Sequence, residues 1–205
     1  MKPFLTETLM ITSRCSAGCL PCPFANGTVE QRFLSVHRTL EKIRCSEAPL
    51  VVISGGEPFE HPHFAQLIHS LAEGYSQGKP FRIATGGHRP MAEYLPRLKA
   101  IEGFQGISLG TDVLSRICSN TRAISHVWHE NVRRLNEMQV PYSLTLTLHA
   151  AMTDAREVLK IAHRCGAQPE FVYLRVVSKN ISAHECCTAV KALWPSVVVI
   201  FDELV

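Results

Sequence analysis

At 205 residues the chain is long enough to bury one substantial core and short for two, so a single domain over 1–205 is expected. Hydrophobic residues make up 46% and charged residues 19%, which excludes a disordered chain, and a net charge of +3 from scattered lysines and arginines leaves no footprint for nucleic acid. No apolar stretch approaches the roughly 20 residues of a membrane-spanning helix. The first residues lack the apolar core of a secretory signal, and eight cysteines in such a chain read as metal ligands or free thiols of the reducing cytoplasm.

Taken in order, the chain opens with a strand expected over Thr8–Thr12. The run Cys15-Ser-Ala-Gly-Cys19-Leu-Pro-Cys22 follows it. Three cysteines at this spacing can fold a short loop around a metal centre, with Gly18 supplying a sharp turn between the first two. Closely spaced thiolates are the usual ligands of iron–sulfur clusters. Three of them leave one iron of a [4Fe–4S] cube open to a substrate or cofactor. Two rivals stand at this point: a four-ligand zinc site completed by His61 or His63, and a thioredoxin-like pair at Cys19 and Cys22.

A helical stripe of Val29, Phe33, Val36, Leu40 and Ile43 comes next, with Thr28 and Gln31 as its capping box. The second strand, Leu50–Ser54, runs into Gly55-Gly56-Glu57-Pro58, and a second helix carries Phe64, Leu67, Ile68 and Leu71. Strands are expected over Phe81–Thr85, Gly106–Gly110, Tyr142–His149, Glu170–Val177 and Val197–Asp202. Between them, Pro90 opens a third helix, Trp128, Val132 and Leu135 line a fourth, and Asp154 with Glu157 caps a fifth that Gly166 ends. Ser182 with Glu185 caps a sixth, which Pro195 stops. His61 and His63 are expected at the surface or in a cap, and Cys45, Cys118 and Cys165 as buried small hydrophobes.

Strict alternation of strand and helix predicts an α/β fold with a parallel sheet and right-handed crossovers. Six βα units fall short of the eight that close a barrel, so the expectation is an open partial (β/α)6 barrel of the TIM type, with a doubly wound sheet as the other topology. Runs such as Val51-Val-Ile53 are apolar throughout, as in strands covered on both faces. Candidate site residues gather at the C-terminal ends of the strands: the cysteine loop, Gly55-Gly56-Glu57, Thr85-Gly86-Gly87, Ser108 with Asp112, and His149.

With both the cysteine run and the Gly55-Gly56-Glu57-Pro58 turn on the page, the chain resembles the radical S-adenosylmethionine (SAM) superfamily, whose hallmarks are a C-x3-C-x2-C loop and a GGEP-like turn in this order. The resemblance implies a [4Fe–4S] cluster on Cys15, Cys19 and Cys22, which reduces SAM to give a 5′-deoxyadenosyl radical that abstracts hydrogen from a substrate. It further implies that Gly55, Gly56 and Glu57 serve the methionine moiety, with Thr85 as a further contact. Ser108 and Asp112 would serve the ribose, and His149 or Arg175 the carboxylate.

The chain departs from the family where Pro21 replaces an aromatic residue before the third cysteine, with Phe24 nearby, and where no Asp follows Ser108 before Asp112. Cys186 and Cys187 are candidate hydrogen-atom donors to a substrate radical, ligands of an auxiliary cluster with Cys118 or Cys165, or simply a pair of partly buried thiols on the sixth helix. The resemblance also implies an electron donor such as flavodoxin or ferredoxin. A bulky substrate, a peptide or protein, suits a laterally open barrel; a small heterocycle, as in deazapurine-forming relatives, is the alternative. A non-catalytic zinc or redox module is the reading from another class.

Overall fold

The computed structural model describes residues 6–20, 22–24, 27–115, 117–118, 121–148, 154–177 and 183–203. Seven strands form one parallel sheet: β1 (Thr6–Thr12), β2 (Leu50–Gly55), β3 (Phe81–Thr85), β4 (Phe104–Gly110), β5 (Tyr142–Leu148), β6 (Phe171–Val176) and β7 (Val198–Glu203). Each neighbours the next in sequence, with no reversal of order. A doubly wound sheet reverses at its switch point, so that topology is excluded. The sheet ends at β1 and β7, which do not pair with each other. The result is the open, partial barrel.

Between the strands run α1 (Val36–Cys45), α2 (Phe64–Ala72), α3 (Leu95–Lys99), α4 (Thr121–Glu137), α5 (Ala155–Arg164) and α6 (Ala183–Leu193). They cover one face of the sheet, where Ile11, Ile53, Ile83, Leu109, Leu146 and Leu174 are fully buried. The strand positions between these residues point the other way, because side chains alternate across a strand. They are small or polar: Ser54, Ala84, Ser108, Thr145, Thr147 and Arg175. The inner face is therefore an open polar trough. The expectation of strands covered on both faces holds low on the sheet, where inward-facing Arg82 and Ser143 are buried, and fails toward the mouth, where partial closure leaves this face open.

Deeper on that face, Arg82 donates to the Ile107 carbonyl at 3.2 Å, lies 3.6 Å from Glu170 and stacks 5.2 Å from the Phe171 ring centroid. Its side chain plugs the trough next to Ala84.

Several local expectations are corrected. The first helix starts at Val36, with Ser35 as its cap accepting from the Arg38 N–H at 3.2 Å, and Val29 and Phe33 are exposed. The reason is tertiary: the Leu34 N–H donates to the Ile11 carbonyl and the Ser13 N–H to the Arg32 carbonyl, so this segment runs extended beside the end of β1. A local capping pattern at Thr28 and Gln31 cannot compete with those bonds.

Pro90 does not open α3; Pro96 sits in its first turn. Asp154 stands at the N-cap of α5, but its carboxylate accepts from the Ser115 hydroxyl instead of capping. Cys45 is exposed and Cys165 half-buried. His61 and His63 do stand at caps, at the C-cap of the turn Pro58–Glu60 and the N-cap of α2, but His61 is buried, with Nε2 2.8 Å from the Leu34 carbonyl and Nδ1 accepting the His63 N–H. Ser182 lies outside the described residues. Among the described residues, no helix is long and apolar enough to cross a membrane.

Helix α4 holds the sheet from outside. Asn131, fully buried, donates to the carbonyls of Gly87 and Arg89 at 2.9 Å each and accepts the Met91 N–H at 3.1 Å. One turn earlier, Trp128 donates its indole N–H to the Gly110 carbonyl at 2.9 Å. Buried backbone groups left without partners cost about 1–3 kcal/mol each. Asn131→Leu is therefore expected to lower unfolding stability by about 3 kcal/mol, measured by urea titration followed by far-UV circular dichroism.

Candidate active site

The cysteine loop leaves β1 through Ser13 and Arg14. Gly18 takes φ +69°, the left-handed conformation the expected turn requires, and the Cys22 N–H closes a tight turn onto the Cys19 carbonyl. Cys15, Cys19 and Cys22 all line one cavity of about 480 Å³. Burial pushes the Cys15 thiol up to about 12, and burial followed by the neighbouring Cys118 raises Cys19 as well.

The glycine turn is sewn to the root of this loop. The Gly56 N–H donates to the Thr12 carbonyl and the Glu57 N–H to the Arg14 carbonyl, each at 2.7 Å. A Cβ on Gly55 would fall 2.4 Å from the Thr12 oxygen, and one on Gly56 2.4 Å from the Arg14 oxygen. The sequence points to glycine here for approach to a ligand; in the structure, chain-to-chain approach already demands it.

From this turn Glu57 reaches, fully buried, to the next one. Its carboxylate accepts from the Thr85 hydroxyl at 2.8 and 2.9 Å, from the Gly86 N–H at 3.1 Å and from the Phe59 N–H at 3.2 Å. Burial still dominates, raising the carboxyl to about 7. His88 stands between two carboxylates, with Nδ1 3.3 Å from Glu57 and Nε2 3.2 Å from Glu60. Burial lowers its basicity. A neutral imidazole that donates from Nε2 to Glu60 turns its Nδ1 lone pair toward Glu57, which suits a carboxyl that keeps its proton.

Glu60 resists burial: hydrogen bonds from the Ser16 hydroxyl, His88 and the Ser16 N–H outweigh it and keep the group acidic. Arg14 and Arg89 lie 3.8 and 3.7 Å away. Ser16 belongs to the cysteine loop. The brace therefore runs from loop to glycine turn to the turn after β3 and back.

The opposite wall carries Ser108, Asp112, Thr145, Thr147 and Arg175, with Val113 and Ile117 as its apolar part. Asp112 accepts the Thr147 N–H at 2.8 Å, and burial raises its carboxyl to about 6 against that bond and the Arg175 charge. Arg175 is the one fixed cation among the described residues lining the cavity.

Of the residues singled out from sequence, Cys15, Cys19, Cys22, Gly55, Gly56, Glu57, Thr85, Ser108, Asp112 and Arg175 are brought to one cavity. His149 and Pro21 lie outside the described residues. Phe24 is not among the residues lining the cavity. Cys186 and Cys187 are not brought there either. Cys186 is buried in the core on α6 near Arg156 of α5, and Cys187 is half-buried beside it. Helix α6 covers the outer face of the sheet, which separates both thiols from the trough.

Sequence reasoning missed His88, Glu60, Thr145 and Thr147. The only signals were His88 directly after Gly86-Gly87, and Glu60 three residues beyond Glu57.

The donor set fits a [4Fe–4S] cluster. Among the described residues, no three His, Cys, Asp or Glu side chains converge on a single ion position. Three thiols lining one cavity suit a cluster whose irons each take one thiolate.

Glu57 makes the site pH-sensitive in a stated direction. Its carboxyl is raised from 4.5 to about 7, so the folded chain holds a proton that the unfolded chain releases. This contribution to stability is complete below pH 4.5 and is lost as pH rises to about 7. Glu57→Gln keeps an acceptor for Thr85 and Gly86 and removes that loss. Across this window the parent is expected to lose about 3 kcal/mol more stability than the variant, read from urea titrations of the iron-free protein.

The Radical SAM superfamily profile matches residues 9–165. No curated protein matches the chain. Among solved structures, methylornithine synthase superposes with a TM-score of 0.68 at 14% identity, covering 96% of this chain and 64% of that one. A radical SAM methyltransferase from Sphaerobacter thermophilus superposes with a TM-score of 0.65 at 15% identity, covering 96% and 66%. The chain thus spans less than two thirds of the length of these structures, and at such identities the likeness is one of fold. The profile match takes in most of the chain, including the cysteine loop and the braced glycine turn; this chain belongs to the radical SAM superfamily, enzymes that use a [4Fe–4S] cluster and S-adenosylmethionine.

Proposed function

We propose that this chain cleaves SAM reductively and uses the radical to take hydrogen from a bulky substrate, a peptide or protein. The carrying observation is that three cysteine thiols and the Gly55–Glu57 shelf line one cavity. Cys15, Cys19 and Cys22 would hold the iron–sulfur cluster, which supplies the electron for breaking the sulfonium carbon–sulfur bond.

The remaining work falls to the chain itself. Glu57, locked to Thr85 and Gly86, keeps the shelf at a fixed distance from the cysteine loop. Val113 and Ile117 keep water from part of the cavity wall, and Asp112 with Arg175 offers paired charges to the polar parts of bound molecules. Orientation and shielding are what a protein adds to cofactor chemistry of this kind.

The breadth of the opening supports a bulky substrate. β1 and β7 leave the trough open along its side, and Val177, at the cavity wall, is itself exposed. On β7, Val198 and Ile200, in register with Phe171 and Tyr173 on the trough side, are exposed. The reading carries with it a cytoplasmic setting, where thiols stay reduced, and an electron donor such as flavodoxin or ferredoxin.

Anaerobic reconstitution with iron and sulfide tests the class. The parent is expected to take up iron and to release 5′-deoxyadenosine and methionine from SAM under dithionite, while Cys15→Ser, Cys19→Ser and Cys22→Ser each lose both properties. Zinc bound at one per chain, with no iron–sulfur absorption, would overturn it. For the substrate, the macromolecular fraction of a cell extract is expected to stimulate 5′-deoxyadenosine release. Stimulation by the small-molecule fraction alone overturns the peptide or protein assignment.

A further inference from the structure

A fourth cysteine stands beside the middle thiol of the loop, and the chemistry above does not use it. Cys118 follows the short turn Asp112–Leu114, and it faces Cys19 as partner in an isolated antiparallel bridge. Next to this pair the Leu20 N–H donates to the Ile117 carbonyl at 3.1 Å. In antiparallel pairing, a bond in that position flanks a pair that is not itself hydrogen-bonded, the closer of the two kinds, with Cα atoms about 4.5 Å apart. Disulfides close from Cα separations of about 4.4–6.8 Å.

The Cys118 thiol donates to the Ala17 carbonyl at 2.8 Å, which fixes it against the cysteine loop. Cys19 lines the cavity, so a small oxidant that enters the cavity meets it there.

We propose that Cys19 and Cys118 form an oxidative modification site, in which hydrogen peroxide converts the two thiols of the iron-free chain to a disulfide. One sulfur attacks a peroxide oxygen and releases water, giving a sulfenic acid; the second sulfur displaces the hydroxyl as another water. Two thiols lose two electrons and two protons, and one peroxide becomes two waters. With Cys19 consumed, the loop cannot take up iron until a dithiol reduces the bond. The effect on iron uptake rests on the reading of Cys15, Cys19 and Cys22 as iron ligands; the disulfide itself does not.

The test uses the full chain stripped of iron by chelation under reducing conditions, then exposed to hydrogen peroxide. After alkylation and digestion, mass spectrometry is expected to find the Cys19 peptide joined to the Cys118 peptide. Iron uptake on later reconstitution falls at least tenfold, and dithiothreitol restores it. Cys118→Ser and Cys118→Ala are expected to form no such link and to keep iron uptake after the same peroxide dose.

The cross-link map of the parent stands even if a variant fails to fold. Links joining Cys15 to Cys22 or Cys186 to Cys187 in place of this one overturn the proposal. A Cys118 that stays alkylatable, or variants as sensitive to peroxide as the parent, overturn it too. A Cys19–Cys118 link in a parent that takes up no iron even before peroxide supports the modification site and counts against the iron-ligand reading instead.

Discussion

Everything at the C-terminal mouth of the barrel depends on one seam. The ends of β1 and β2 are joined by two short backbone hydrogen bonds across Thr12–Gly56 and Arg14–Glu57, where neither glycine has space for a side chain. Because the seam lies immediately before the cysteines on one side and immediately before Glu57 on the other, the two loops cannot drift apart. Glu57 passes the constraint to the turn after β3, and Glu60 returns it to Ser16 in the cysteine loop. The cavity wall on this side is a closed circuit of hydrogen bonds, not a set of independent turns.

That circuit also distributes charge. Two carboxyls and an imidazole are buried together, an arrangement that costs heavily unless protons and partners are shared out. Here the sharing is uneven. Glu60 keeps its charge through Ser16 and His88, with Arg14 and Arg89 close by, whereas Glu57 is pushed by burial toward its neutral form. Across the cavity the same logic recurs more weakly in Asp112, which faces Arg175. A site assembled this way holds little net charge of its own and leaves room for charged molecules.

The cysteine loop, the glycine turn and the alternation of strand and helix were legible because each is written over a few neighbouring residues or in a regular period. The sequential strand order and the open edge agree with six βα units and a seventh strand. What could not be read rests on residues far apart in the chain. His88 gains its role only when its turn meets Glu57 and Glu60, and Cys118 only when the stretch after β4 pairs with the cysteine loop.

The false start of α1 has the same origin. Thr28 and Gln31 form a sound local pattern that loses to the bonds Arg32 and Leu34 make with the chain around β1. Likewise Val51-Val-Ile53 looks apolar on both sides because sequence does not tell a strand how many of its faces will be covered.

Helix α4 sets a boundary on how this scaffold can be rebuilt. Trp128 and Asn131, one turn apart, clamp the ends of β4 and β3 although neither lines the cavity. Transplanting segments around the mouth to redirect selectivity therefore has to retain this inner helical surface unchanged. Its outward side, by contrast, where Arg133 pairs with Glu130 and Glu137, is free ground for recoding.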